Sequence, residues 1–173
     1  MKKAGLFLSL LLTFSVPALS ADIEAGFSPE GSAQQLVLDA IKSAKSNIRM
    51  MAYSFTAPDI MRALIAARNR GVDVKIVIDK EGNTNRSSRA AINLVTNAGI
   101  ELRTDDNYKI QHDKVMIIDD NSIQTGSFNY TASAERYNSE NAIVIRNQPE
   151  LAQQYLEHWR SRWEQGKPWR SDY

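Results

Sequence analysis

The stretch His112-Asp113-Lys114-Val115-Met116-Ile117-Ile118-Asp119-Asp120-Asn121-Ser122-Ile123-Gln124-Thr125-Gly126-Ser127-Phe128-Asn129 decides how this chain is read. Lys114 to Asp119 and Ser122 to Thr125 flank Asp120-Asn121 as two strands flank a tight turn. Side chains of a strand alternate between its faces, so His112 and Lys114 are expected on one face. Asp119, five residues beyond Lys114, is expected on the other, ordering the turn through hydrogen bonds. Gly126 reads as a backbone requirement, starting a turn that returns Ser127 and Asn129 toward His112 and Lys114. Such a set suits a phosphate diester: an imidazole attacks phosphorus, while ammonium and amide donors hold the oxygens.

The nucleophile of that reading is His112, because an imidazole of ordinary pKa, about 6.5, is largely neutral at pH 7. Lys114 and Asn129 are the expected phosphate contacts. Ser127 is expected either to support the contacting residues or to hydrogen-bond on the phosphate side, and not to attack, since no second base is assigned to it. Asp113 and Asp120 are expected to be solvated.

Outward from this stretch, helical and strand patterns alternate. Ile23 to Phe27 reads as a short strand and Ser28-Pro29-Glu30-Gly31 as a turn. About Ser32 to Lys45 is an amphipathic helix, and Asn47 to Phe55 a buried strand. Thr56-Ala57-Pro58-Asp59 has capping-box character before a helix closed by Gly71. Val72 to Ile78 is a strand, Lys80 to Ser88 a polar loop, Ala90 to Ala98 a short helix and Ile100 to Arg103 a strand. After a polar connection from Thr104 to Tyr108 comes the hairpin. Asn141 to Arg146 is a last strand. Pro149 to Trp163 is a closing helix with Leu151, Tyr155, Trp159 and Trp163 on one stripe. His158 neighbours that stripe and reads as structural or surface. Trp169 and Tyr173 read as a loose tail. The alternation predicts an α/β domain with a mixed sheet between helices.

Composition narrows the function. Cysteine is absent from the 173 residues, which excludes a disulfide framework, a thiol nucleophile and a zinc–thiolate site. The only histidines are His112 and His158, so a His-rich metal cluster within one chain is excluded. Lys2 and Lys3, the apolar run Leu6 to Val16 and the small residues Ala18, Ser20 and Ala21 predict a signal peptide over residues 1–21. Export follows, to the periplasm of a Gram-negative source, with no stable membrane association after cleavage. The mature chain, residues 22–173, is expected as a single domain, with 19 basic against 20 acidic residues. A positive groove for nucleic acid must then be local, with Arg86, Arg89, Arg103, Lys109 and Arg136 as candidate backbone contacts.

The spacing of His112, Lys114, Asp119, Gly126, Ser127 and Asn129 resembles the HxKxxxxDxxxxxxGSxN motif of the phospholipase D superfamily. The turn at Ser28-Pro29, the Ala52-Tyr53-Ser54-Phe55 segment and the unit ending at Asp79 also resemble that family's repeating half. Within it, the chain is similar to small, single-motif bacterial endonucleases carried by plasmids. The resemblance implies a phosphohistidine on His112, later hydrolysed by water. It points to Glu140, in Asn138-Ser139-Glu140-Asn141, as the carboxylate that holds the second imidazole nitrogen. Larger members carry two motifs and this chain carries one. A symmetric homodimer would therefore supply the second His112, with the site at the two-fold interface. Two lysines around one phosphate do a metal ion's electrostatic work, so no metal or other cofactor is expected. The expected activity is metal-independent, non-specific cleavage of DNA. Cleavage of RNA, hydrolysis or transfer on phospholipids, and a non-enzymatic binding module remain alternatives, the last opposed by the intact motif.

Overall fold

The structure is a computed structural model that describes residues 22–171. The expected signal peptide and Tyr173 lie outside the described residues. In chain order the elements are β1 (Asp22–Ser28), α1 (Ser32–Ser43), β2 (Asn47–Ala52), α2 (Pro58–Asn69), β3 (Asp73–Asp79), α3 (Arg86–Asn97), β4 (Glu101–Asp105), β5 (Lys114–Ile118), β6 (Ser122–Gly126), α4 (Ala132–Arg136), β7 (Glu140–Arg146), α5 (Pro149–Gln165) and β8 (Lys167–Pro168).

The strands form one sheet in the order β1-β7-β6-β5-β2-β3-β4-β8. β2, β3 and β4 run parallel, and the remaining pairs are antiparallel. This is the mixed sheet that the alternating pattern predicts. Helices cover both faces, which is why the central strands are nearly continuous apolar runs. Period-two alternation divides them: Met50, Ile76 and Met116 enter the core under α1, α2 and α3, while Met51, Val77, Val115 and Ile117 enter a second core under Ala152, Leu156 and Trp159 of α5.

The register gathers the chemistry at one edge of the sheet. Ala52 at the end of β2 faces Lys114 at the start of β5, and Asp79 faces Asp105 at the ends of β3 and β4. Gly126 closes β6 beside Ala142, and Ser28 ends β1 opposite Glu140.

Several local expectations are corrected. The helix α3 begins at Arg86 and not at Ala90, because the Asn85 side chain accepts from Ser88 N at 2.9 Å and caps it. The polar loop is shorter accordingly. The capping box does not form at α2: Ala57 is the N-cap and has no side-chain bond, while Asp59 pairs with Arg62 and accepts from Gln34. β2 stops at Ala52, and Phe55 instead bridges Tyr130. The helix α4 and the strand β8 were not legible in the pattern. Trp169 is no loose end: it packs against the larger core, and its indole donates to Asn93 Oδ1 at 2.8 Å.

Candidate active site

His112 stands just before β5, on the approach to the strand, and its side chain is exposed. Its neighbours are tied down on both sides. Gln111 N donates to Asp79 Oδ2 at 2.8 Å, and Tyr53 N donates to Asp113 O at 2.9 Å. The other Asp79 oxygen accepts from Gly82 N at 2.6 Å. Asn83, buried at 3% exposure, completes the brace: its amide donates to Tyr53 O and Asp79 O, and its oxygen accepts from Phe55 N. The exposed imidazole thus rises from a hydrogen-bonded floor built by the ends of β2 and β3.

Lys114 is buried, and its Nζ donates to His112 O at 2.8 Å. Both side chains meet Tyr53. The His112 and Tyr53 ring centroids lie 4.8 Å apart at 58°, and Lys114 Nζ lies 5.5 Å from the tyrosine centroid. Burial lowers the pKa of the Lys114 ammonium below its ordinary value, against the opposing charges of Asp113 and Glu140.

Gly126 needs to be glycine. Its φ of +145° is rare for L side chains, and a Cβ there would lie 2.3 Å from Asn141 O. The turn it permits lets Ser127 N and Phe128 N both donate to Asn141 O. It also places the Ser127 hydroxyl against Glu140, donating to Oε2 at 2.6 Å. Asn138 Nδ2 donates to the other Glu140 oxygen at 2.9 Å. Within one protomer the Glu140 carboxylate is thus bonded to Ser127 and Asn138. The His112 ring, for its part, lies against Tyr53. Glu140 still acts on the site through its charge at Lys114.

Asn129 lies between Phe128 and Tyr130, both fully buried, which pin its loop from either side. Its side-chain oxygen is buried and has no hydrogen-bond partner among the described residues.

Asp119 lies at the far end of β5 with φ +52°. Its carboxylate accepts from the backbone N–H groups of Lys45, Ser46 and Asn47 and from the Ser46 hydroxyl. It fastens the α1–β2 connection, a longer reach than the turn-ordering expected. Burial would raise its pKa, but these donors outweigh burial and hold it below the ordinary value.

Asp113 is half-buried and not simply solvated. One of its oxygens lies 3.3 Å from His158 Nε2, and the other accepts from Gln111 Nε2 at 3.3 Å. Of the proposed basic contacts, Arg86, Lys109 and Arg136 are exposed. Arg103 is already used: it donates to Trp163 O at 2.8 Å and its guanidinium lies 4.4 Å from that ring centroid. Arg89 lies 5.8 Å from the Trp169 ring centroid. Sequence reasoning named Tyr53 and Asp79 only as part of the family resemblance, with no place in the site, and missed Asn83 and Gln111. The available signal was the ending of two parallel strands at Ala52 and Asp79, the edge where open α/β sheets place their sites. Among the described residues no group of three or more His, Asp or Glu side chains is arranged to hold a metal ion.

A family model described as the cardiolipin synthase, PLD-like domain matches residues 37–163. The chain belongs to the phospholipase D superfamily. It is similar to a phospholipase D from Rickettsia bellii, 38% identical over 150 residues that cover 86% of this chain and 73% of that protein. Human mitochondrial cardiolipin hydrolase is 33% identical over 81% of this chain, which spans about half (55%) of that longer protein. The fold matches the crystal structure of Nuc from Salmonella typhimurium, a phospholipase D family member, with a TM-score of 0.87 and 63% identity, over 88% of this chain and all of that one. This phospholipase D superfamily chain is accordingly a phosphodiesterase, and the edge that carries His112, Lys114 and Asn129 is where its motif lies.

Proposed function

We propose that the chain is an exported endonuclease that hydrolyses DNA phosphodiester bonds without a metal ion, at the interface of a symmetric homodimer. The observation that carries this reading is the pairing of an exposed imidazole, His112, with a buried ammonium, Lys114, one hydrogen bond apart along the backbone. A neutral His112 attacks phosphorus while Lys114 and Asn129 meet the charge that grows on the non-bridging oxygens. The His112 of a second copy protonates the leaving oxygen, then takes a proton from the water that hydrolyses the phosphohistidine. One motif per chain supports the dimer, and similarity to small single-motif endonucleases supports the nucleic-acid substrate. Contacts centred on a phosphate carry little base information, so low sequence preference follows.

A lipid reading has its own support in relatives that carry the name phospholipase D. The two separate in one experiment. The mature protein, in excess EDTA, is incubated with supercoiled plasmid and, in parallel, with phosphatidylcholine vesicles. Nicking without choline release is the expected result. Choline release without nicking would overturn the nuclease reading and move the same chemistry to lipids. Sedimentation of the active species tests the dimer, and a monomer at full activity would contradict it.

A further inference from the structure

Asp113 puts a carboxylate between the two residues that are to meet an anionic phosphate. Left free, that charge would repel the substrate, so where it points matters. Alternation along β5 turns Asp113 away from Lys114, toward the face covered by α5, where Val115 and Ile117 also lie. There His158, from the middle of α5, sets Nε2 at 3.3 Å from Asp113 Oδ1. Gln111 takes the second carboxylate oxygen and Tyr53 N takes the backbone carbonyl. Asp113 is thereby held from α5, from the end of β2 and from its own loop, and it is bonded directly to the residue that carries the attacking imidazole.

We propose that His158 is a positioning residue for phosphodiester hydrolysis. It anchors the Asp113 carboxylate on the α5 side, which fixes the peptide from which His112 rises and keeps the negative charge turned from the phosphate seat. His158 does not touch substrate. A half-exposed pair of this kind adds little to stability, whereas a small misplacement of a reacting group costs much in rate. The two effects are therefore separable.

The inference rests on His112 as the reacting group. It is tested with bis(p-nitrophenyl) phosphate, whose turnover does not depend on whether the natural substrate is DNA or lipid. His158→Ala should lower kcat about tenfold with KM changed less than about twofold, and the melting temperature should move by no more than about 3 °C. His158→Gln keeps a nitrogen donor and should recover most of the rate. In an Asp113→Ala background, His158→Ala should cause no further loss, since the partner is already gone. Wild-type kcat in His158→Ala would overturn the proposal. So would a loss that tracks the folded fraction and is not recovered by glutamine. Failure of the underlying assignment looks different: His112→Asn would then turn over the same ester at the wild-type rate.

Discussion

Lys114 donates a 2.8 Å hydrogen bond from Nζ to the backbone carbonyl of His112. On the proposed mechanism, this bond ties the cation that meets phosphate to the residue that attacks it, a preorganisation of the kind electrostatic catalysis uses.

Lys114→Met removes the charge and that tie together. Turnover should fall about 10²- to 10³-fold, the usual cost of one oxyanion donor. The fold should survive, because a buried ammonium is exchanged for an apolar side chain; the melting temperature checks this. The lowered pKa of Lys114 also sets a sign. Activity needs the ammonium, so it should decline with rising pH through a value below the ordinary lysine range. The unfolded chain holds that proton more tightly, so this group's contribution to stability rises over the same interval. A pH–rate profile set beside pH-dependent melts would show both.

Asp119 predicts a purely structural loss. Asp119→Ala strips the acceptor from three backbone N–H groups and the Ser46 hydroxyl, and should cost about 1–2 kcal/mol by denaturant titration. Activity per folded molecule should stay near wild type. Its carboxyl pKa is lowered in the folded state, so the stability it adds is present above the ordinary aspartate range and is lost as pH falls through the lower, folded value. The variant should accordingly show a weaker acid destabilisation than the wild type.

Asn83 predicts a mixed loss. Asn83→Ala leaves Phe55 N, Tyr53 O and Asp79 O without their partner in a buried place, at a cost of about 2–3 kcal/mol. The floor beneath His112 loosens with it, so kcat should drop even where the protein remains folded. Equal losses of activity and folded fraction would contradict that link.

Glu135, on α4, is buried, with the Gln34 side chain as a donor that only partly offsets that burial. Burial, helped by Asp59, raises its pKa. The folded chain therefore holds this proton more tightly, and the group destabilises as pH rises. Glu135→Gln should raise the melting temperature at pH 8 and do so much less at pH 5. An equal effect at both values would show that the charge is not the cause.

How much of this was legible in the sequence depended on the range of the interaction. The strand pair from Lys114 to Gly126 and the glycine at its end were readable because alternation and turn chemistry are local. The sheet between helices followed from apolar runs such as Val115 to Ile118, which only a doubly covered strand can carry. Partnerships across the chain were not readable. Asp119 bonds residues 72–74 positions away, and Asp113 meets His158 from 45 positions away. Glu140 was read from the sequence as the partner of the His112 imidazole. Only the register of β6 against β7 shows that the Ser127 hydroxyl reaches the carboxylate first. Trp169 was read as tail because one aromatic after a glycine has no periodicity, although a single hydrogen bond to Asn93 and a place in the core hold it.

On the proposed function, His112 attacks phosphorus in a nucleic acid without help from a metal ion. The direct measurement compares the purified mature wild type with His112→Asn on supercoiled plasmid in excess EDTA, with circular dichroism confirming that both are folded. Nicking by the wild type and none by the variant, at equal protein, is the expected result. Full nicking by folded His112→Asn, or a wild type that is inert until a divalent metal is restored, would contradict it.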